Sequence, residues 1–312
     1  MIKTDAVDCE PLWQRVLEFP LVVLVVATAL WIVAGYVAYL ILAYQPNMGV
    51  GPAALSEAAI NIAILWAVYK LSIRHLGDKP HDDLPDTGAI RLTAQGLGIG
   101  FLLFSAIVGI AFVVGAYRII GSGGTGGFLV NLAGFALLPG FREELLFRGI
   151  FFRWFEELGG TWVGLVLSSA LFGFAHYWNP NSSPWASTLI AIEGGVLFGG
   201  AYMLTRSLWL PIGLHAAWNF TQGFIFGVPV SGITATGLVR SELSGPEWLS
   251  GGDFGLEASV MALLLATAGG VWMVVQAQRR GLVFGPMWTR TGAIVFPEQP
   301  PSLLNLLRQR KL

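Results

Sequence analysis

Leu21–Tyr44 reads LVVLVVATALWIVAGYVAYLILAY, 24 consecutive residues without a charged side chain. As an α-helix it spans about 36 Å at 1.5 Å per residue, enough to cross a hydrocarbon core of about 30 Å. In lipid the backbone polar groups of such a segment must be satisfied within the segment, which selects a helix. The run exceeds the length of a signal-peptide core and no small-residue cleavage site follows it, so it reads as a retained span. Seven further apolar runs follow: Ala53–Tyr69, Gly96–Tyr117, Phe128 to about Trp154, Trp162–Trp178, Trp185–Leu204, Ser207–Val228 and Leu256–Gln276. They lack period-two alternation and are too long for barrel strands. The expected fold is therefore all-α, a polytopic membrane bundle of about eight transmembrane helices.

Composition and charge agree. Hydrophobic residues make up 54% of the 312-residue chain and charged residues 12%, about half the ~25% usual in soluble domains. A disordered chain is excluded and an ordinary soluble enzyme fits poorly. The 18 basic and 19 acidic residues leave no positive surplus for a phosphate backbone, which argues against a nucleic-acid partner. Cys9, the sole cysteine, rules out an internal disulfide and a Cys-based metal site.

Loop charges orient the bundle. Lys3, Arg15, Lys70, Arg74, Lys79, Arg91, Arg148, Arg153, Arg206, Arg279, Arg280, Arg290, Arg308, Arg310 and Lys311 share one side if there are eight spans with both termini cytoplasmic. Only Arg118 and Arg240 fall opposite, a pattern that follows the positive-inside rule. The chain then divides into a cytoplasmic segment 1–20, a bundle 21–278 with its catalytic core at about 128–228, and a cytoplasmic tail 279–312. Within this scheme 79–93 is a polar cytoplasmic loop, with His75 and His81 solvated in or beside it. Gly121–Gly127 (GSGGTGG) is a flexible external linker. Residues 229–255 form an external loop, and Leu303–Lys311 reads as a short basic amphipathic helix on the membrane surface.

Ionisable groups inside spans are costly, about 2.5–3.5 kcal/mol each on insertion scales, so they mark function or specific pairing. Here they gather in three runs. Phe141–Gly149 reads FREELLFRG, in which Glu144 and Arg148 share a helix face and can pair. Glu143 is turned about 100° away from Glu144. Phe172 and His176 share a face in the fifth run, as do His215 and Asn219 in the seventh. Taken singly, each has a plain alternative: a helix-ending charge cluster, an interfacial histidine, a helix–helix hydrogen bond. Glu57 and Asn61 share a face near the outer interface and read as structural. Glu193 has no local partner and is a weaker candidate for the same cavity.

Two acids, two histidines and an amide on nearby spans suit water attack on a carbonyl. In one version the two histidines and a carboxylate (Glu143, His176, His215) hold Zn2+ with an open position for water, and the remaining Glu is the general base. In the other no metal binds; a buried Glu activates water while His and Asn stabilise the oxyanion. No His-Glu-x-x-His and no Gly-x-Ser-x-Gly sequence is present.

The ordered set Glu143-Glu144-x-x-x-Arg148, Phe172-x-x-x-His176 and His215-x-x-x-Asn219 resembles the motifs of the CPBP family of intramembrane peptidases. That family includes the eukaryotic type-two CAAX prenyl endopeptidase and bacterial proteins linked to bacteriocin immunity. The resemblance covers about Phe128 to Val228. It implies that Glu143 activates water with help from His176, that His215 and Asn219 bind the oxyanion, and that Glu144 and Arg148 organise the site. The family has been assigned both a metalloprotease and a metal-free glutamate mechanism, and most bacterial members act on no prenylated substrate.

The leading expectation is an intramembrane endopeptidase acting on a membrane-embedded or lipid-anchored peptide or protein, in a prokaryotic inner membrane. A non-catalytic immunity or scaffold protein of the same fold, and a proton-coupled transporter, are the competing classes. The complete set of polar residues weighs against the first, and the lack of inverted repeats against the second.

Overall fold

The computed structural model describes residues 11–46, 48–77, 81–291 and Ile294. Cys9, Lys79 and the amphipathic segment Leu303–Lys311 lie outside the described residues. The chain runs α1 (Leu12–Glu18), α2 (Pro20–Leu42), α3 (Val50–Leu71), α4 (Ala89–Val113), β1 (Tyr117–Ser122), then a continuous helix α5 over 128–159. It continues with α6 (Thr161–His176), α7 (Pro184–Thr205), α8 (Trp209–Phe220), β2 (Val239–Leu243) and α9 (Val260–Arg279).

Among the described residues, five helices are long and apolar enough to cross a membrane: Pro20–Leu42, Val50–His75, Ala89–Val113, Pro184–Thr205 and Val260–Arg279. Their outer faces carry exposed Val25, Ile32, Val33, Leu102, Phe112 and Leu264. Apolar side chains directed outward on helices of this length make the protein an integral membrane protein. The other three of the eight runs are helical but differ in kind. α5 carries Arg142, Glu143, Glu144 and Arg148, α6 has 16 residues, and α8 has 12 before it passes into a π-helical turn at Thr221–Ile225. These three are the helices that carry the polar motifs.

α7 is the central post. Its apolar window is 78% buried, against 22% for α2 and 17% for Val50–His75. Small residues let its neighbours approach: Gly195 faces Ser169 of α6, and Gly200 meets the backbone of Gly270 in α9. α8 lies against α4 in the same way, and a Cβ at Gly213 would fall 2.3 Å from the Thr93 carbonyl oxygen. That contact holds the His215–Asn219 face of α8 at a fixed depth.

Three expectations need correction. The described fold is not purely helical, because β1 and β2 pair antiparallel, Tyr117 opposite Leu243 and Ser122 opposite Val239. The glycine linker is half absorbed into this pairing, and the Gly123 and Gly124 amides donate to the carbonyls of Leu238 and Gly237. The loop before α4 is not a solvated segment either. Asp83 is fully buried, accepting from Tyr69, Tyr202 (2.7 Å) and Arg153 (3.2 Å). His81 is folded against it, with Nε2 3.3 Å from Asp83 Oδ1. Burial alone would raise the Asp83 carboxyl; His81, Arg153 and the Tyr202 hydroxyl hold it well below its ordinary range. Finally, the last span starts at Val260, capped by Ser259, and Leu256–Ala258 is a separate tight turn.

Candidate active site

α5 is not a uniform α-helix. Two π-helical stretches, Asn131–Leu137 and Leu145–Phe152, flank Leu138–Glu144. Such wide turns re-aim side chains and concentrate at functional sites. Here the second begins directly after Glu144. Glu144 is fully buried; its Oε1 accepts from Arg148 at 3.0 Å and lies 2.9 Å from His215 Nδ1. Arg148, also fully buried, donates to the Gly194 carbonyl of α7 at 2.9 Å. Its guanidinium sits 4.6 Å from the ring centre of Phe172 and 5.3 Å from that of Phe198. Phe198 in turn stacks on His215, centroids 4.6 Å apart. Glu144 and Arg148 thus lock α5, α6, α7 and α8 together, with Phe172 and Phe198 as walls.

Glu143 faces elsewhere, as the 100° offset requires. Its side chain keeps about a fifth of its exposure, and Oε2 lies 3.8 Å from His176 Nε2. His176 Nδ1 sits 2.8 Å from the Phe172 carbonyl oxygen, four residues back on α6. A carbonyl only accepts, so Nδ1 carries a proton and Nε2 is turned towards Glu143. The Glu143 carboxylate and His176 Nε2 therefore converge on one spot. His215 differs: its Nδ1 donates to the Glu144 carboxylate, which leaves Nε2 for the cavity that the ring lines. Asn219 is tied by Nδ2–H to the Phe135 carbonyl at 2.8 Å, one turn from the histidine on the same face of α8.

His176, His215 and Asn219 line a small cavity. Phe172, Ile190, Leu197, Phe198 and Trp218 form its apolar walls. Glu193 reaches it from α7, and Glu257 from the turn before α9. The sequence reading left Glu193 open and missed Glu257, which lay at the edge of an apolar run with nothing to distinguish it. The Glu257 turn depends on Gly255, at φ +117°, where a Cβ would strike the Pro229 carbonyl at 2.2 Å. Burial pushes the Glu257 carboxyl up to about 7, against hydrogen bonds from Ser231 and Gln222 that pull the other way. Glu57 and Asn61 stay apart from this cavity and line a separate groove with Trp31, Tyr39 and Arg142.

The zinc alternative finds a poor fit. Among the described residues no three His, Cys, Asp or Glu side chains gather closely enough to hold a metal ion. Glu143 and His176 are neighbours, while the carboxylate beside His215 is Glu144, already bound to Arg148.

Residues 125–221 match the family model described as Type II CAAX prenyl endopeptidase Rce1-like. The chain carries an Rce1-like domain. The matched segment begins in the glycine linker and ends one residue beyond α8, so it holds all seven motif residues and Glu193, while Glu257 falls outside it. No curated protein and no solved structure matches the chain.

Proposed function

We propose that the protein is an intramembrane endopeptidase that hydrolyses a peptide bond by glutamate-activated water. The carrying observation is the convergence of Glu143 Oε2 and His176 Nε2, 3.8 Å apart, where His176 lines a cavity shared with His215 and Asn219. A water between the two acceptors gives one proton to each as hydrogen bonds, and its oxygen lone pair faces the substrate carbonyl. As it attacks, Glu143 takes the proton and His176 shares the developing charge; the proton then passes to the leaving amine. The oxyanion accepts from His215 Nε2–H and from the second Nδ2–H of Asn219. Glu144 holds the His215 ring in orientation through Nδ1, and Arg148 prevents Glu144 from carrying an uncompensated charge. No step is routed through a metal, because the donors do not fit one.

Membership of a CAAX protease family supports a protein substrate, and we infer one that is membrane-embedded or lipid-anchored. The eight helical runs and their loop charges support a bundle with both termini cytoplasmic, in a prokaryotic inner membrane. A reporter fused after Gly124 should then read external.

The decisive experiment is cleavage of a quenched acylated peptide library by the detergent-purified protein. Wild type should cut, Glu143→Gln and His215→Ala should not, and a chelator should leave the rate unchanged. Wild-type turnover that survives Glu143→Gln would overturn the glutamate mechanism. Turnover that the chelator abolishes would return the zinc alternative.

A further inference from the structure

Five acids are buried among the described residues: Asp83, Glu144, Glu156, Glu193 and Glu257. Three of them have an arginine in contact. Arg153 lies 3.2 Å from Asp83, Arg148 3.0 Å from Glu144, and Arg206 2.5 Å from Glu156. Glu193 and Glu257 have no ion-pair partner among the described residues, and the cavity that both line contains no lysine or arginine. The Glu193 Oε2 atom is buried without any hydrogen-bond partner, and Glu193 is only 2% exposed. Wherever this fold buries an acid for structural reasons it supplies the cation. At this cavity it supplies two acids, brought from different elements, with no lysine or arginine beside them, and His215 lines the same space.

We propose that Glu193 and Glu257 form an acidic subsite that binds a basic side chain, lysine or arginine, of the substrate adjacent to the scissile bond. This builds on the peptidase reading, because His176, His215 and Asn219 line the same cavity and place the scissile carbonyl beside it. The walls suit such a guest. Ile190, Leu197, Ala266 and Trp218 line the apolar side against which a methylene stem would lie. An ionised carboxylate in an apolar pocket is strongly disfavoured until a cation arrives, so binding energy is concentrated on the charged tip and a neutral isostere gains none of it. A hard divalent cation is the poorer guest, since it needs six or more oxygen ligands and these walls are apolar. Glu257 sits in the 229–258 loop, whose Ser231 amide donates to its carboxylate. The subsite therefore joins a helix of the Rce1-like domain to a loop beyond it, and its selectivity belongs to this chain's own loop.

The test uses full-length protein in detergent in the Glu143→Gln background, which blocks turnover. Fluorescent acylated hexapeptides scan a single lysine through every position, each matched by the norleucine peptide of the same length. At one position lysine should bind at least about tenfold more tightly than norleucine. That advantage should fall severalfold in Glu193→Gln and in Glu257→Gln, which keep side-chain volume, and vanish in the double variant. Two single variants keep the test readable if one fails to fold. Absence of a lysine advantage at every position, or an advantage untouched by both variants, overturns the subsite. Wild-type kcat/KM for the same pairs separates the two readings. Selective binding without turnover keeps the subsite and removes the peptidase; equal turnover of lysine and norleucine peptides keeps the peptidase and removes the subsite.

Discussion

The molecule buries carboxylates in two settings that differ in one respect. At the end of the bundle where the 81–88 loop lies, Asp83 and Glu156 are enclosed with Arg153 and Arg206, and every oxygen that matters has a donor. In the cavity, Glu193 and Glu257 are as deeply enclosed and have each other. The first arrangement ties loops to helices: Arg206 also donates to the Leu282 carbonyl, and the Leu208 amide to the Asp83 carbonyl. In the second, Glu257 holds the Ser231 amide, while Glu193 Oε2 is buried with no hydrogen-bond partner. Paired burial reads as architecture and unpaired burial as a site waiting for a ligand. Glu144 stands between them, paired by Arg148 yet turned towards His215.

The largest expected effect lies at the catalytic rim. Glu143→Gln should lower kcat/KM by about 10²–10⁴-fold, the usual worth of a general base, with the thermal midpoint in detergent nearly unchanged. A midpoint that collapses with activity would make Glu143 architectural and erase the contrast.

Next comes the paired region. Arg206→Met leaves Glu156 buried without its cation and should cost about 3–5 kcal/mol of unfolding stability. Glu193→Gln replaces a buried carboxyl that has no cation with a neutral amide of similar volume and should leave stability unchanged or raise it. The comparison breaks if thermal melts rank the two variants the other way.

The pH response should have opposite signs in the two regions. Asp83 is held below its ordinary value of 3.8, so the unfolded chain binds the proton more tightly. Its contribution is present above pH 3.8 and is lost as pH falls towards the folded value. Glu257 is raised from 4.5 to about 7, so the folded chain holds the proton more tightly. Stability should therefore decline as pH rises from about 4.5 to 7, by roughly 1.4 kcal/mol per pH unit at most. Melts of Glu257→Gln should lack the decline on the neutral side, and melts of Asp83→Asn should lack the one on the acid side.

The smallest effect concerns the frame. Gly213→Ala places a methyl against the Thr93 carbonyl and should cost about 1–3 kcal/mol by overpacking. Because α8 carries His215 and Asn219, kcat should fall more than KM rises. Unchanged kinetics would show that the depth of α8 is not tightly set.

Much of this was legible beforehand because membrane helices announce themselves by length and polarity. The runs at Leu21–Tyr44 and Trp185–Leu204 differ by only a residue or two at each end from α2 and α7. The Glu144–Arg148 pair was legible too, since a four-residue spacing on a helix leaves little choice. The β1–β2 ribbon was not. Its strands have only six and five residues, and the first enters a glycine-rich stretch and does not alternate. His81 and Asp83 looked like loop residues because their partners Tyr69, Arg153 and Tyr202 come from three distant helices. Glu257 was invisible for the same reason: a lone acid next to an apolar run carries no local sign of what it will face.

The sequence by itself determined which segments are helical, which of them are apolar enough to enter lipid, and which polar residues share a helix face. These follow from backbone hydrogen bonding and a 3.6-residue period, which are local. Only the tertiary structure decided that Glu143 meets His176, that Glu144 meets His215, and that Glu193 and Glu257 share a cavity without a cation. Those juxtapositions depend on the depth and rotation at which helices pack. That is set by small residues such as Gly195, Gly200 and Gly213 and by loops that fold back over the bundle, and no local pattern encodes it.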